Sequence, residues 1–458
     1  MTRPVIKGIF KEGLHEEAIR FSASHEFDRK LYRYDIRGSI AWAKMLKKIG
    51  ILNRIELDKI VGALKRIEKN IDTGKFLFND NLEDIHMHIE AELKNRIGLI
   101  AKKLHTGRSR NEQVALDERL YCRDKIKEVI ASLKKLQKVL LKKTKENIDV
   151  IIPGYTHLQQ AQPISAGHYF LAYVEKFARD IERLLEISKR VDVLVMGSSA
   201  LAGTTINVDR NFLARELGFK KLSPNSLDAV SDRDFVIEII FSSALIGMHL
   251  SRLAEDIVIW KSIEFDYLDN LNGFCTGSSL MPQKANPDIA ELVRGKTARL
   301  YGNLVQILTL MKALPMTYNR DMQEDKEHLF DSVDTVLRSL EVFTHLIGSL
   351  KFKKDNILMR MSEFVLATDI AEYLVNKKMA FRDAHETVGK IVCFMMDNKK
   401  TFSDMTLQEF QKFSKSFDKK FLSILNVNKS VDARVAYGGT SRKNVRREMK
   451  NWEKRLSK

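Results

Sequence analysis

Proline is scarce in this chain. Only seven occur in 458 residues, at positions 4, 153, 163, 224, 282, 287 and 315. None lies between Pro4 and Pro153, and none follows Pro315. Proline interrupts helix interiors, so these spans are open to long helices. Cysteine is scarcer still: Cys122, Cys275 and Cys393 are an odd number at no metal-ligand spacing. That argues against a disulfide framework and for a reducing, cytosolic compartment. Cys275 has no activating neighbour in sequence and reads as a small apolar filler. Long apolar runs are also missing. The most apolar stretch, 236–250, is interrupted by Glu238 and is too short to span a bilayer core of roughly 30 Å. It reads as a buried helix. Met1-Thr2-Arg3-Pro4 leads into no apolar leader, and neither an internal repeat nor a low-complexity linker is visible.

What is abundant is positive charge. Lys and Arg number 77 against 60 Asp and Glu, a formal net charge of +17. Such a balance can mark a nucleic-acid partner. Here the basic residues are spread along the chain, densest over 434–458, and no aromatic stacking motif accompanies them. A general drift of composition accounts for the charge more simply, so no specific nucleic-acid partner is expected. A chain of this length exceeds one simple core, and two or three domains are expected.

The first segment, 1–112, carries two helical patterns. One includes Leu31, Ile36, Ala41, Met45 and Leu46, with Ser24 as a candidate cap; the other covers 57–70. EDIHMHIE (83–90) follows. His86 and Glu90 share a helix face, whereas His86 and His88 point apart and cannot easily share a metal ion. HTGRSRNEQ (105–113) is a polar loop whose arginines, hydroxyls and amides suit a carboxylate, with Asn111 as a candidate cap of the next helix.

The segment 113–360 looks all-helical. Phe170, Val174, Phe177, Ile181 and Leu184 recur at alternating spacings of four and three, a coiled-coil-like seam on a helix expected after Pro163. Ile237, Phe241, Ala244, Met248 and Trp260 repeat the pattern. With 114–147, 287–312 and 327–350 this makes five long helices, hence a bundle, and apolar stripes on more than one face predict a homo-oligomer. The polar stretches lie between them. Thr156 and His157 sit in GYTHLQQAQP (154–163) at an expected helix entrance. PNSLD (224–228) and SDRD (231–234) open another helix, and Tyr318, Gln323 and Lys326 lie at a third entrance. The last segment, 361–458, has shorter helices near 367–376 and 382–398, a tight turn at Gly438-Gly439-Thr440, and a basic, amphipathic end.

GSSLMPQKANPD (277–288) stands apart. Its first half is a small hydroxyl-bearing loop. Asn286 is then a candidate N-cap, with Pro287 at the first helical position and Asp288 in the first turn. A helix start gathers N–H groups and partial positive charge, Lys284 adds a full charge, and a mobile serine beside them suits an acidic substrate.

This stretch resembles the signature of the fumarase/aspartase superfamily, whose members release fumarate by β-elimination. The wider set, including EDIHMHIE, HTGRSRNEQ, GYTHLQQAQP, PNSLDAVSDRDF, YNRDMQEDKE and the late YGGT, resembles the argininosuccinate lyase family. HTGRSRN and QEDKE separate it from the other fumarate-releasing lyases, adenylosuccinate lyase and aspartase among them, and the intact serine loop separates it from a non-catalytic, crystallin-like relative. Three positions depart from the family's usual pattern: Glu112 for aspartate, Ser199 for glycine, and Val195 where proline is common.

The resemblance implies an all-α, three-domain protomer (1–112, 113–360, 361–458) with a five-helix central domain. It also implies a homotetramer with a twenty-helix core and sites shared between subunits. The implied reaction is reversible cleavage of argininosuccinate to arginine and fumarate, with no metal or organic cofactor. His157 and Ser278 would divide the acid and base roles, and Glu291 would orient His157. Lys284 and Asn286 would stabilise the carbanion as an aci-carboxylate. Ser24, Asn111, Thr156, Tyr318, Gln323 and Lys326 would bind the substrate.

Overall fold

Apolar seams with no proline inside them set the architecture. The computed structural model describes residues 14–271 and 273–457. The opening tetrapeptide, from which no leader was expected, lies outside them. Helices dominate, at 69% of the described residues, and the fold is all-α. After a short helix His25–Asp28 come α1 (Tyr32–Lys48), α2 (Arg54–Asp72) and α3 (Ile85–Ile97). Asn53 and Glu56 form a reciprocal capping box that starts α2.

Five helices of 24 to 37 residues follow: α4 (Arg110–Glu146), α5 (Ala166–Val191), α6 (Asp234–Lys261), α7 (Asp288–Met311) and α8 (Asp325–Ser349). These are the five long helices expected. The seam residues Phe170, Val174, Phe177, Ile181 and Leu184 are all buried. Side-chain contacts tie the five together pairwise. Gln137 Nε2 donates to Val174 O (2.9 Å), His249 Nδ1 lies 2.7 Å from Asp180 Oδ2, and Thr297 Oγ1 donates to Gly247 O (3.0 Å). Asn303 Nδ2 donates to Ser332 Oγ (3.0 Å), and the Tyr121 ring packs edge-on against Phe330. At 28 residues, α6 is long and apolar enough to cross a membrane, yet most of its apolar side chains, Phe235, Ile239, Ile246, Leu253 and Ile257 among them, are buried in protein. Phe241, assigned to the inward seam, is instead 45% exposed.

By internal contacts the chain divides into two units, one of residues 1–130, 181–245 and 298–337, the other of 131–180, 246–297 and 338–458. In the first unit, Trp42, Ile60, Ile67 and Ile89 form the centre of the α1–α3 packing, and the Trp42 indole donates to Thr106 O (3.2 Å). In the second, α9 (Ala367–Asn376) and α10 (Phe381–Asp397) bury an aromatic core with Phe402, Phe410, Phe417 and Phe421. The basic end forms α11 (Arg442–Leu456), which buries Val445, Met449 and Trp452 and exposes its cations other than Arg442, which pairs with Asp149 and Asp432.

The central segment is not all-helical. Residues Ile151–Thr156 (β1) and Gln159–Ser165 (β2) form an antiparallel hairpin, so Thr156 and His157 lie at a strand end and a turn rather than a helix entrance. Pro153 and Pro163 face each other in this hairpin. A two-stranded ribbon has outer edges with no partner, where a missing N–H costs nothing. Two-residue strands also pair, Val193–Leu194 (β3) with Lys221–Leu222 (β4) and Thr276–Gly277 (β5) with Ala285–Asn286 (β6). Asn286 is therefore a strand residue, and α7 starts two positions later, at Asp288.

Phe177 is fully buried in the α5 seam. Phe177→Ala should cost about 3–5 kcal/mol, measured by urea unfolding; a loss under about 1 kcal/mol would contradict the seam assignment.

Candidate active site

In the first unit, Ser24 holds the N-cap position of the short helix His25–Asp28, but with its backbone only. Its hydroxyl makes no capping bond and donates instead to Asp28 Oδ2 at 2.6 Å. Asp28 Oδ1 accepts from the N–H of Ile85 at the start of α3 (3.0 Å). Burial first, with Asp84 adding to it, pushes the Asp28 carboxyl up to about 6, against the pull of the Ser24 hydroxyl, the Ile85 N–H and Lys326.

The 320s segment meets the same region. Gln323 Nε2 donates to Ser22 O (3.5 Å), Arg320 Nη2 donates to Ser22 O (3.1 Å), and Arg320 pairs with Glu83 (2.8 Å). Lys326 is buried, and its ammonium faces three acceptors: Asp325 Oδ1 (2.9 Å), Glu118 Oε1 (2.9 Å) and Met322 O (3.4 Å). Arg233 Nε reaches both carboxylates, Glu118 Oε2 at 2.9 Å and Asp325 Oδ2 at 2.5 Å. Burial alone would lower the Lys326 pKa; Asp325 and Glu118 hold it above its ordinary value. The Tyr318 hydroxyl is pushed up by burial and pulled back by Lys326 and Arg320. Ser24, Gln323 and Lys326 thus share one neighbourhood with Tyr318 beside it.

Of the stretch 105–113 read as a loop, only 106–109 is one, since α4 begins at Arg110; it is pinned rather than free. Ser109, not Asn111, caps α4: its Oγ accepts from Asn111 N (3.3 Å), and Glu112 Oε1 accepts from Ser109 N (3.3 Å). The other Glu112 oxygen accepts from Gly197 N (2.6 Å) and Ser199 N (2.8 Å). Asn111 Nδ2 donates to Ala200 O (3.1 Å). Two of the residues that depart from the family pattern, Glu112 and Ser199, are therefore in direct contact.

In the second unit, the β5–β6 ladder closes the serine loop. Gly277 pairs with Ala285, which sets Ser278 and Lys284 opposite each other at the loop's mouth. Ser278 Oγ accepts from Leu280 N (3.2 Å) and Met281 N (3.0 Å). The Thr276 hydroxyl donates to Asp288 at the start of α7. Lys284 and Glu291 are exposed and Asn286 half-buried. On the β1–β2 hairpin, Thr156 and His157 are exposed. Among the described residues, no side-chain hydrogen bond joins His157 to Glu291 or Ser278.

Sequence reasoning passed over Glu118 and gave Arg233 and Asp325 no role, though SDRD and QEDKE contain them, because nothing local signals that residues so far apart will meet. Asp28 was within reach, since it lies one turn beyond Ser24. Asp35, His86 and Asp117 are the described group whose ligand atoms, within 4.8 Å of one another, could hold a metal. His86 Nδ1 is already hydrogen-bonded to Asp35 (3.0 Å), which also accepts from Gln113. His88 instead bonds the backbone oxygens of Asp84 and Asn79, so the two histidines do point apart.

A lyase family model matches residues 16–302, and one described as the argininosuccinate lyase C-terminal region matches residues 364–432. The argininosuccinate lyase of Syntrophotalea carbinolica is 51% identical over 94% of this chain and 93% of its own. That of Alkaliphilus metalliredigens is 51% identical over 93% of each. Among solved structures, an EDDS lyase in complex with formate superposes with a TM-score of 0.85 at 25% identity, covering 100% of this chain and 90% of that one. The class II fumarase of Schistosoma mansoni, at 18% identity and a TM-score of 0.74 over 87% of this chain and 90% of its own, shares the fold.

Asp28 ionises near 3.8 when unfolded and near 6 in the fold. Between those values the folded state holds the extra proton, so this group's contribution to stability falls as pH rises from about 4 to about 6. Asp28→Asn should be nearly neutral at about pH 4 and more stable than wild type by up to about 3 kcal/mol near pH 7. Urea midpoints across pH measure this; a gap that does not widen would sink the assignment.

Proposed function

The chain belongs to the argininosuccinate lyase family, and from that premise we infer that it cleaves argininosuccinate reversibly to arginine and fumarate. The observation that carries the reading is the closed serine loop: Ser278 and Lys284 flank its mouth just ahead of the α7 N-terminus. The hard step is removing a proton from the carbon beside a carboxylate. The charge then moves onto the carboxylate oxygens as an aci-carboxylate. Lys284, Asn286 and the start of α7 supply donors for that charge, each worth roughly a hundred- to a thousand-fold in rate. His157 and Ser278 divide the proton transfers, one taking the carbon proton and the other protonating the departing guanidinium nitrogen. Glu291 orients His157. Ser24, Asn111, Thr156, Tyr318 and Gln323 hold the substrate, while Lys326 contributes its charge from inside its ion cluster.

The proposed protomer has three domains, 1–112, 113–360 and 361–458, and is cytosolic. It assembles as a homotetramer in which each site draws loops from different subunits. What supports association is α7, which exposes Tyr301, Val305 and Leu308 at helical spacing, 46%, 64% and 49% accessible. Apolar stripes of this kind are interaction surfaces in soluble proteins.

Ser278→Ala and His157→Asn should each lose at least a hundredfold in fumarate release with helicity intact; near-normal turnover in either removes that residue from the chemistry. Mixing the two inactive variants under subunit exchange should restore part of the activity, and no recovery would mean self-contained sites. Val305→Asp should shift the sedimentation coefficient from tetramer toward smaller species. An unchanged tetramer would place the interface elsewhere.

A further inference from the structure

His157 stands on an unusual turn. It and Leu158 are the two central residues between β1 and β2, with φ of 53° and 56°. A two-residue hairpin loop with both centres left-handed is the arrangement that ordinarily selects Asn-Gly. A side chain there costs about 1–2 kcal/mol per residue. Leu158 is 70% exposed, so packing of its side chain does not hold the turn.

The ladder beneath it does. Thr156 pairs with Gln159, and Tyr155 with Gln160. The register then slips, because Gly154 pairs with Gln162 and leaves Ala161 as a bulge. Tyr155 and Gln160 are direct partners, so their side chains share one face, and both are anchored. The Tyr155 hydroxyl is hydrogen-bonded to that of buried Tyr267 (2.7 Å). Gln160 Nε2 donates to Arg360 O (2.9 Å), and its Oε1 accepts from Ser362 N (2.8 Å). The amide thus pairs with the 360–362 backbone as a strand would, three residues from His157. It is the polar tie of β2 nearest the turn.

We propose that Gln160 is a positioning residue for His157: its two hydrogen bonds to the 360–362 segment fix the hairpin so that the imidazole stands at a set place. This rests on the reading of His157 as an acid/base group. A positioning role predicts a loss in turnover with substrate affinity largely kept, since a displacement near 1 Å at a reacting group can cost roughly a hundredfold.

The test is Gln160→Met, similar in size and unable to form either bond, assayed by fumarate release from argininosuccinate in the full-length enzyme. Turnover should fall roughly tenfold or more, with KM within about twofold. In a His157→Asn background the same change should have no further effect, because the group it positions is gone. A purely structural residue would lower both backgrounds alike, and that result overturns the proposal. A second variant guards against misfolding. Gln160→Glu keeps the acceptor for Ser362 N–H but needs a proton to donate to Arg360 O. Its turnover relative to wild type should therefore rise as pH falls toward about 5; a flat ratio counts against the clamp. Wild-type turnover in Gln160→Met overturns the clamp whatever His157 does. Wild-type turnover in His157→Asn alone overturns the role of His157 and the clamp with it.

Discussion

Four ionised side chains meet out of water in the first unit, and the polar groups around them hang on that meeting. Glu118 and Asp325 supply two negative charges, Arg233 and Lys326 two positive ones, and all four are buried. Removing an ion from water costs several kcal/mol, so such a cluster persists only when every charge has a close opposite partner. Here each acid touches both bases within 2.9 Å. Glu118 belongs to α4, Arg233 immediately precedes α6, and Asp325 and Lys326 open α8. One electrostatic knot therefore fixes the register of three helices, and Tyr318 and Gln323, just ahead of α8, inherit their positions from it.

Much of this was legible in the residues, for reasons that can be named. The five long helices were readable because a heptad-like seam such as Phe170-to-Leu184 has a period that only a helix can bury. The hairpin was not. His-Leu is poor turn chemistry by composition, and Pro163 suggested a helix start when it sits in a ribbon. The helix beginning at Asp288 was misplaced by one position, because Asn286 is a good cap in isolation but is claimed by its pairing with Thr276. The residue types of the candidate site were visible; their partners were not. The Ser24 hydroxyl looks like a cap until Asp28 is seen to take its hydrogen, and Lys326 looks like a free cation until Glu118 arrives from two hundred residues away.

Glu112 shows a departure from pattern absorbed by its surroundings. Its two oxygens gather three backbone N–H groups, one from its own helix start and two from the 197–199 turn. One side chain thus ties the start of α4, which carries Asn111, to the 197–199 turn, where Ser199 itself holds a left-handed φ of 54°.

The serine loop carries one more implication. Both acceptor positions of the Ser278 oxygen are occupied by main-chain amides, so in the resting loop the hydroxyl has only its proton left to share. Whatever group sits before it is met by a donor. If that proton departs, the oxygen left behind already has two N–H dipoles trained on it, and the anion needs no rearrangement to be solvated. Two N–H donors on one hydroxyl oxygen favour its deprotonated form over that of a serine without them.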